Sequence, residues 1–200
     1  MKKKVTRAFK SLLPATIGAL LVVLPALASP GAAQAQALRL DAVAVNLSGV
    51  GRPGTQTLEI VLNNWSTDET RDKLIDTLTT KGSEKLLDVL QSIKPRVGYI
   101  RTPTSLAWNI QFAREYPLPE GGRRIVFATD RPIGFFEAAT RPRSSQYEFM
   151  ICEIHLDKDG RGEGKLATLA KISYDKKKNL IEIENYGLEP VRLTDVRMEE

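Results

Sequence analysis

From Leu38 onward, apolar side chains recur at every second position in one short run after another, with clusters of turn formers between the runs. That period places alternate side chains on opposite faces of an extended strand. The runs are Leu38–Leu47, Thr57–Asn63, Val97–Arg101, Leu106–Arg114, Arg123–Asp130, Tyr147–Leu156, Glu163–Tyr174, Leu180–Tyr186 and Glu189–Met198, so about nine strands are expected. The breaks between them include Ser48–Gly54, Asp157-Lys158-Asp159-Gly160 and Asp175–Asn179. Connections this short join antiparallel neighbours. The expected fold is mainly β (α+β by content), a single antiparallel β-barrel or sandwich of about nine strands. It forms one domain over residues 38–200.

One stretch departs from period two. Over residues 67–93 the apolar positions switch to helical spacing, with Leu74, Ile75 and Leu78 on one stripe and Leu86, Leu87, Leu90 and Ile93 on another. Ser66-Thr67-Asp68-Glu69 reads as a capping box with Ser66 as N-cap, Gly82 as a stop and Ser83 as the second cap. The expected unit is an α-helical hairpin, inserted between strands and packed on one side of the sheet or plugging one end.

Residues 1–37 read as a secretory signal peptide. Lys2, Lys3, Lys4, Arg7 and Lys10 form a basic start, and an apolar stretch from Leu12 to Ala28 follows, interrupted by Pro14 and Pro25. Two A-x-A cleavage sites end at Ala35 and Ala37. The expected destination is periplasmic or extracellular (secreted), by the general secretory route, with the membrane met only through the signal peptide during export. The whole chain has a formal net charge of +5. Five basic and no acidic side chains lie in residues 1–37, so residues 38–200 hold 24 of each sign. A neutral domain lacks the basic footprint of a nucleic-acid binder, so no nucleic-acid partner is expected.

Several strings occur together: Trp65-Ser66-Thr67-Asp68-Glu69, Val97-Gly98-Tyr99-Ile100-Arg101, Gly121-Gly122-Arg123-Arg124-Ile125-Val126, Ala128-Thr129-Asp130-Arg131-Pro132 and Ile154-His155-Leu156-Asp157-Lys158-Asp159-Gly160. In this order of segments the chain resembles a group of uncharacterised exported bacterial proteins over most of residues 38–200. The resemblance implies export and a single domain. That group has no assigned activity, so no catalytic residue is carried over.

His155 is the only histidine. Glu153 and Asp157 lie two residues to either side on the same strand face, and an imidazole oriented by a carboxylate is the raw material of a general base. The alternative is an exposed histidine on the polar face of a half-buried sheet. Cys152, the only cysteine, falls on the opposite, apolar face with Met150 and Ile154, which argues against a Cys–His dyad. Asp157–Glu163 shares the opening of a calcium loop but not its later ligands, so a hairpin turn is expected there and no metal site. No cofactor is expected.

Residues 94–143 are locally basic, with nine cations against four anions. Within them the segment from Arg131 to Gln146 is longer than a hairpin needs and carries Phe135 and Phe136. Trp108, Arg131, Phe135, Phe136, Arg141 and Arg143 are therefore the expected ligand-binding residues, set in a cavity or lid. Together these features suggest an exported, non-catalytic β-rich domain binding a small apolar or anionic ligand or an envelope protein. Two alternatives are a periplasmic hydrolase using His155 with Glu153 or Asp157, and a structural or assembly protein of the cell envelope.

Overall fold

The structure is a computed structural model that describes residues 37–47, 53–130, 149–177, 180–185 and 189–199. The signal-peptide reading and the whole Arg131–Gln146 segment lie outside the described residues. One compact unit spans Ala35–Glu200. Its elements are β1 (Leu38–Asn46), β2 (Gly54–Leu62), α1 (Asp68–Lys81), α2 (Ser83–Ser92), β3 (Gly98–Arg101), β4 (Trp108–Pro117), β5 (Arg123–Thr129), β6 (Phe149–Leu156), β7 (Arg161–Asp175), β8 (Leu180–Asn185) and β9 (Val191–Met198).

Every strand pairing is antiparallel. The sheet runs β6-β5-β4-β3-β2-β1-β9-β7-β8, and β6 also pairs with β7. That last pairing joins the two ends and makes a closed barrel of eight strands, which decides between barrel and sandwich. β8 stays outside the ring: β7 is 15 residues long, and its second half leaves the barrel to pair with β8 as a ribbon.

Alternation along each strand separates inside from outside. Leu40, Leu58, Ile60, Ile100, Ile110, Ile125, Phe127, Met150, Ile154, Leu166 and Leu193 point inward, fully buried, into one apolar cluster. An eight-stranded barrel is just wide enough for side chains to fill it. The outer positions carry charge, including Asp41, Glu59, Arg101, Arg114, Glu153 and Lys165. This is the reverse of a membrane-spanning barrel, which is apolar outside.

A ring this small forces close strand approaches, and glycine occupies them. A Cβ on Gly98 would overlap the Val61 carbonyl, and one on Gly162 would overlap the His155 carbonyl. β-Bulges take up the remaining curvature, one of them in β4 between Ile110 and Phe112. This bulge corrects the expected facing of the strand. Plain alternation over Leu106–Arg114 places Leu106, Trp108, Ile110 and Phe112 on one face, but the extra residue, Gln111, turns Ala113 inward and Phe112 outward. Leu106, expected on the same face, is 91% exposed in the preceding loop.

The outward Phe112 lies beneath the helical hairpin. α1 and α2 bury Leu78, Leu86 and Leu90 against Phe149 and Ala170, with Phe112, Ile151 and Ala167 at the margin. Burying each leucine contributes about 1.5–3 kcal/mol. The hairpin therefore lies on the side of the barrel and does not plug an end.

Capping differs from expectation. Thr67, not Ser66, is the N-cap of α1, and its hydroxyl accepts from the Thr70 N–H at 3.2 Å. Ser66 is buried and ties the chain to β4 instead. Its N–H donates to the Ala113 carbonyl at 2.8 Å, and its Oγ accepts from the Ala113 N–H at 3.1 Å. Ser83 is the first residue of α2, where no side chain caps.

Two measurements check this account. Gly98→Ala is expected to lower unfolding stability by about 2–3 kcal/mol, through overpacking against β2. Gly54→Ala, with open space at that position, should stay within about 0.5 kcal/mol of wild type. Urea denaturation of both variants reads the difference, and equal stabilities would contradict the close approach. Ser66→Ala should cost about 1–2 kcal/mol in the same assay, because it strands the buried Ala113 N–H.

Candidate functional site

Successive hairpins of an antiparallel barrel emerge at alternate ends, so the β4–β5 and β6–β7 turns share one end. The first is closed by the Leu118 N–H donating to the Gly122 carbonyl at 3.3 Å. Gly122 has φ of 84° and sits so near Leu156 and Asp157 that a Cβ would overlap the Leu156 carbonyl. Glycine is what lets the two turns lie together.

The second turn is held by Asp157. Its Oδ1 accepts from the Asp159 N–H at 2.8 Å and the Arg161 N–H at 2.9 Å, and its own N–H donates to the Arg161 carbonyl at 2.7 Å. Gly160, with φ of 74°, completes it. The calcium-loop likeness thus resolves into a turn whose first carboxylate oxygen is occupied by backbone donors.

Between the turns lies a cleft of about 650 Å³. Leu118, Pro119 and Glu120 line it from the first turn, and His155, Lys158 and Arg161 from the second turn and the strands it joins. The volume falls within the range of about 300–1,000 Å³ usual for small-molecule sites.

His155 stands at the cleft on the outer face of β6. Its Nε2 is 2.7 Å from Glu153 Oε1. With Nε2–H donating, Nδ1 is left with a lone pair facing away from that bond. Both side chains are about half exposed, 52% and 46%, so water screens the pair and it adds little to stability. Asp157, the other expected carboxylate partner, is committed to the turn. Across the ladder His155 lies opposite Arg124 on β5 and Glu163 on β7.

Arg124 lies over the Tyr116 ring at 4.9 Å, while Arg114 lies on the same ring at 5.9 Å. Arg114 is also paired with Asp68 at 2.9 Å. The Arg124 guanidinium has no carboxylate of the described residues within 4 Å. Farther round the wall Glu59 accepts from the Tyr99 hydroxyl at 3.1 Å and pairs with Arg101 at 2.5 Å and Arg39 at 3.5 Å. Of the locally basic stretch, then, Arg101, Arg114 and Arg123 are paired and Arg124 is stacked on a ring.

The expected ligand-binding set fares differently. Trp108 is half-buried and packs against the interior cluster of the barrel, so it serves as core. Arg131, Phe135, Phe136, Arg141 and Arg143 lie outside the described residues. Lys158, Arg161, Glu120 and Leu118 were not singled out in the sequence. Only the register of two separate hairpins brings them together, and the paired glycines Gly121-Gly122 were the local sign of a tight approach.

Among the described residues no group of three or more His, Cys, Asp or Glu side chains could hold a metal ion. Cys152 is wholly buried on the inner face of β6, opposite to His155. Burial, with a lesser contribution from the Glu153 charge, raises its pKa well above the ordinary 9.0. The fold thus favours the neutral thiol. That contribution to stability is complete below the ordinary, unfolded thiol pKa and is lost as pH rises above it.

The folded protein is accordingly expected to resist a water-soluble thiol reagent at pH 8 and to react fully in denaturant. Following reagent absorbance with time checks this, and fast labelling of native protein would contradict the inward placement of Cys152. Comparison with protein-family models, with curated proteins and with solved structures returns no match to this chain.

Proposed function

We propose that the chain is an exported, non-catalytic binding protein that takes a small ligand on the outside of its barrel, in the cleft beside His155. The observation that carries this reading is the cleft itself: about 650 Å³ between two turns, bordered by the exposed side chains of Glu120, Lys158 and Arg161. The apolar cluster inside the barrel supports an outer site over a lumen, because the inward positions are filled with leucine, isoleucine and phenylalanine. The basic start, apolar stretch and A-x-A sites of residues 1–37 support export by the general secretory route.

Native mass spectrometry of protein purified from its own host tests the reading. A small-molecule adduct is expected on the wild-type chain and is expected to be lost from a Lys158→Ala/Arg161→Ala variant. A clean apo mass, or an adduct indifferent to that variant, would overturn it.

A second reading is carried by the 2.7 Å bond between His155 and Glu153. Glu153 orients the ring so that Nδ1 could take a proton from water, the arrangement of a general base in hydrolysis. No serine, threonine or cysteine is among the residues lining the cleft, so water would have to be the nucleophile. Under this reading His155→Gln abolishes hydrolysis of a panel of carboxylic and phosphate esters by the purified protein. Equal rates for wild type and variant would dismiss it.

A further inference from the structure

Seven of the ten arginines among the described residues pair with a carboxylate within 4 Å: Arg39, Arg71, Arg101, Arg114, Arg123, Arg192 and Arg197. Arg161 does not, and it lines the cleft. Lys158 beside it is likewise without a carboxylate among the described residues. On the facing turn Glu120 has no cation of the described residues within 4 Å. The cleft therefore has two walls, Lys158 and Arg161 beside the turn-bound Asp157 on one turn and Glu120 on the other, with no ion pair between the two turns among the described residues. Of the carboxylates on the same hairpin, Asp157 accepts two backbone N–H groups and Glu153 meets His155. Leu118 and Pro119 supply an apolar surface between them.

We infer that the cleft takes a small zwitterion of the α-amino acid type, its carboxylate on Arg161 and Lys158, its ammonium toward Glu120 and its apolar side chain on Leu118 and Pro119. The inference rests on the proposal that this cleft is a small-ligand site. Its physical basis is that a ligand carrying both charges satisfies both walls, while a simple anion leaves Glu120 facing it and a simple cation leaves Arg161 and Lys158 facing it. The guanidinium of Arg161 can meet a carboxylate with two parallel N–H donors. The exposed positions of Lys158, Glu120 and Arg161 on the turns mean that substituting them leaves the packed interior untouched.

Three probes separate the terms: L-phenylalanine, phenylpropionate, which lacks the ammonium, and phenethylamine, which lacks the carboxylate. Titration of the folded protein, followed by backbone amide shifts of residues 118–122 and 155–162, gives each affinity. L-Phenylalanine is expected to bind roughly tenfold more tightly than either trimmed probe, the size of one charge-assisted contact at an exposed site. Arg161→Ala should weaken L-phenylalanine and phenylpropionate roughly tenfold and leave phenethylamine unchanged. Glu120→Ala should do the converse. Arg192→Ala, on β9 opposite Lys165 and paired with Glu189, should change none of the three.

Equal affinities for the three probes, or variants that fail to discriminate among them, would overturn the zwitterion while leaving a small-ligand cleft standing. Absence of binding by all three would also overturn it. If a host-derived adduct sensitive to Lys158→Ala/Arg161→Ala is nevertheless present, the cleft binds another class of molecule. If no adduct is present, the small-ligand reading falls with it.

Discussion

The pairing of β6 with β7 is the interaction on which the rest of the molecule depends. Without it the sheet would be open, with β6 and β7 as two edges carrying unpaired backbone groups. With it, the inward faces of eight strands enclose one apolar cluster and the hairpins gather at two ends. The close approach has a steric condition: β7 presents Gly162 and Gly164 where a side chain would strike the β6 backbone. The seam also sets the site, because His155 and Arg161 belong to the two strands it joins.

Outside the barrel the wall divides in two. Phe112, Ile151 and Ala167 form an apolar half beneath α1 and α2. The other half is polar and is organised by ion pairs, with Glu59 gathering Arg39, Arg101 and Tyr99. Exposed pairs of this kind contribute little stability each. Most of the described arginines are committed in this way, whereas Lys158 and Arg161, which border the same cleft, are not.

Strand number, the helical hairpin and the inward sets of β2, β5 and β6 were legible in the sequence, because each follows from local periodicity. The Glu153–His155 contact was legible for the same reason, as a spacing of two along one strand. What escaped depended on tertiary pairing. The bulge at Gln111 inserts a residue without altering composition, so Phe112 was assigned to the wrong face. Ser66 has every local qualification of a cap, yet Ala113, 47 residues away, claims its hydroxyl. Closure through β6 and β7 left no mark of its own, since both an open and a closed sheet satisfy the same alternation. The cleft followed suit: Leu118 and Arg161 are neighbours only through ladder register. Gln111 itself remains unusual, buried with a carbonyl oxygen that has no hydrogen-bond partner among the described residues, an arrangement that costs about 1–3 kcal/mol.

The backbone of both turns is held by its own devices, Gly122 and Gly160 at positive φ and the Asp157 carboxylate clamp. Pro119, Glu120, Lys158 and Arg161, on and beside these turns, are exposed. Substitution at residues 118–120, 158 and 161 can therefore drift under selection for a different ligand while the scaffold persists. Divergent descendants of such a chain could keep one backbone and disagree entirely about what they recognise.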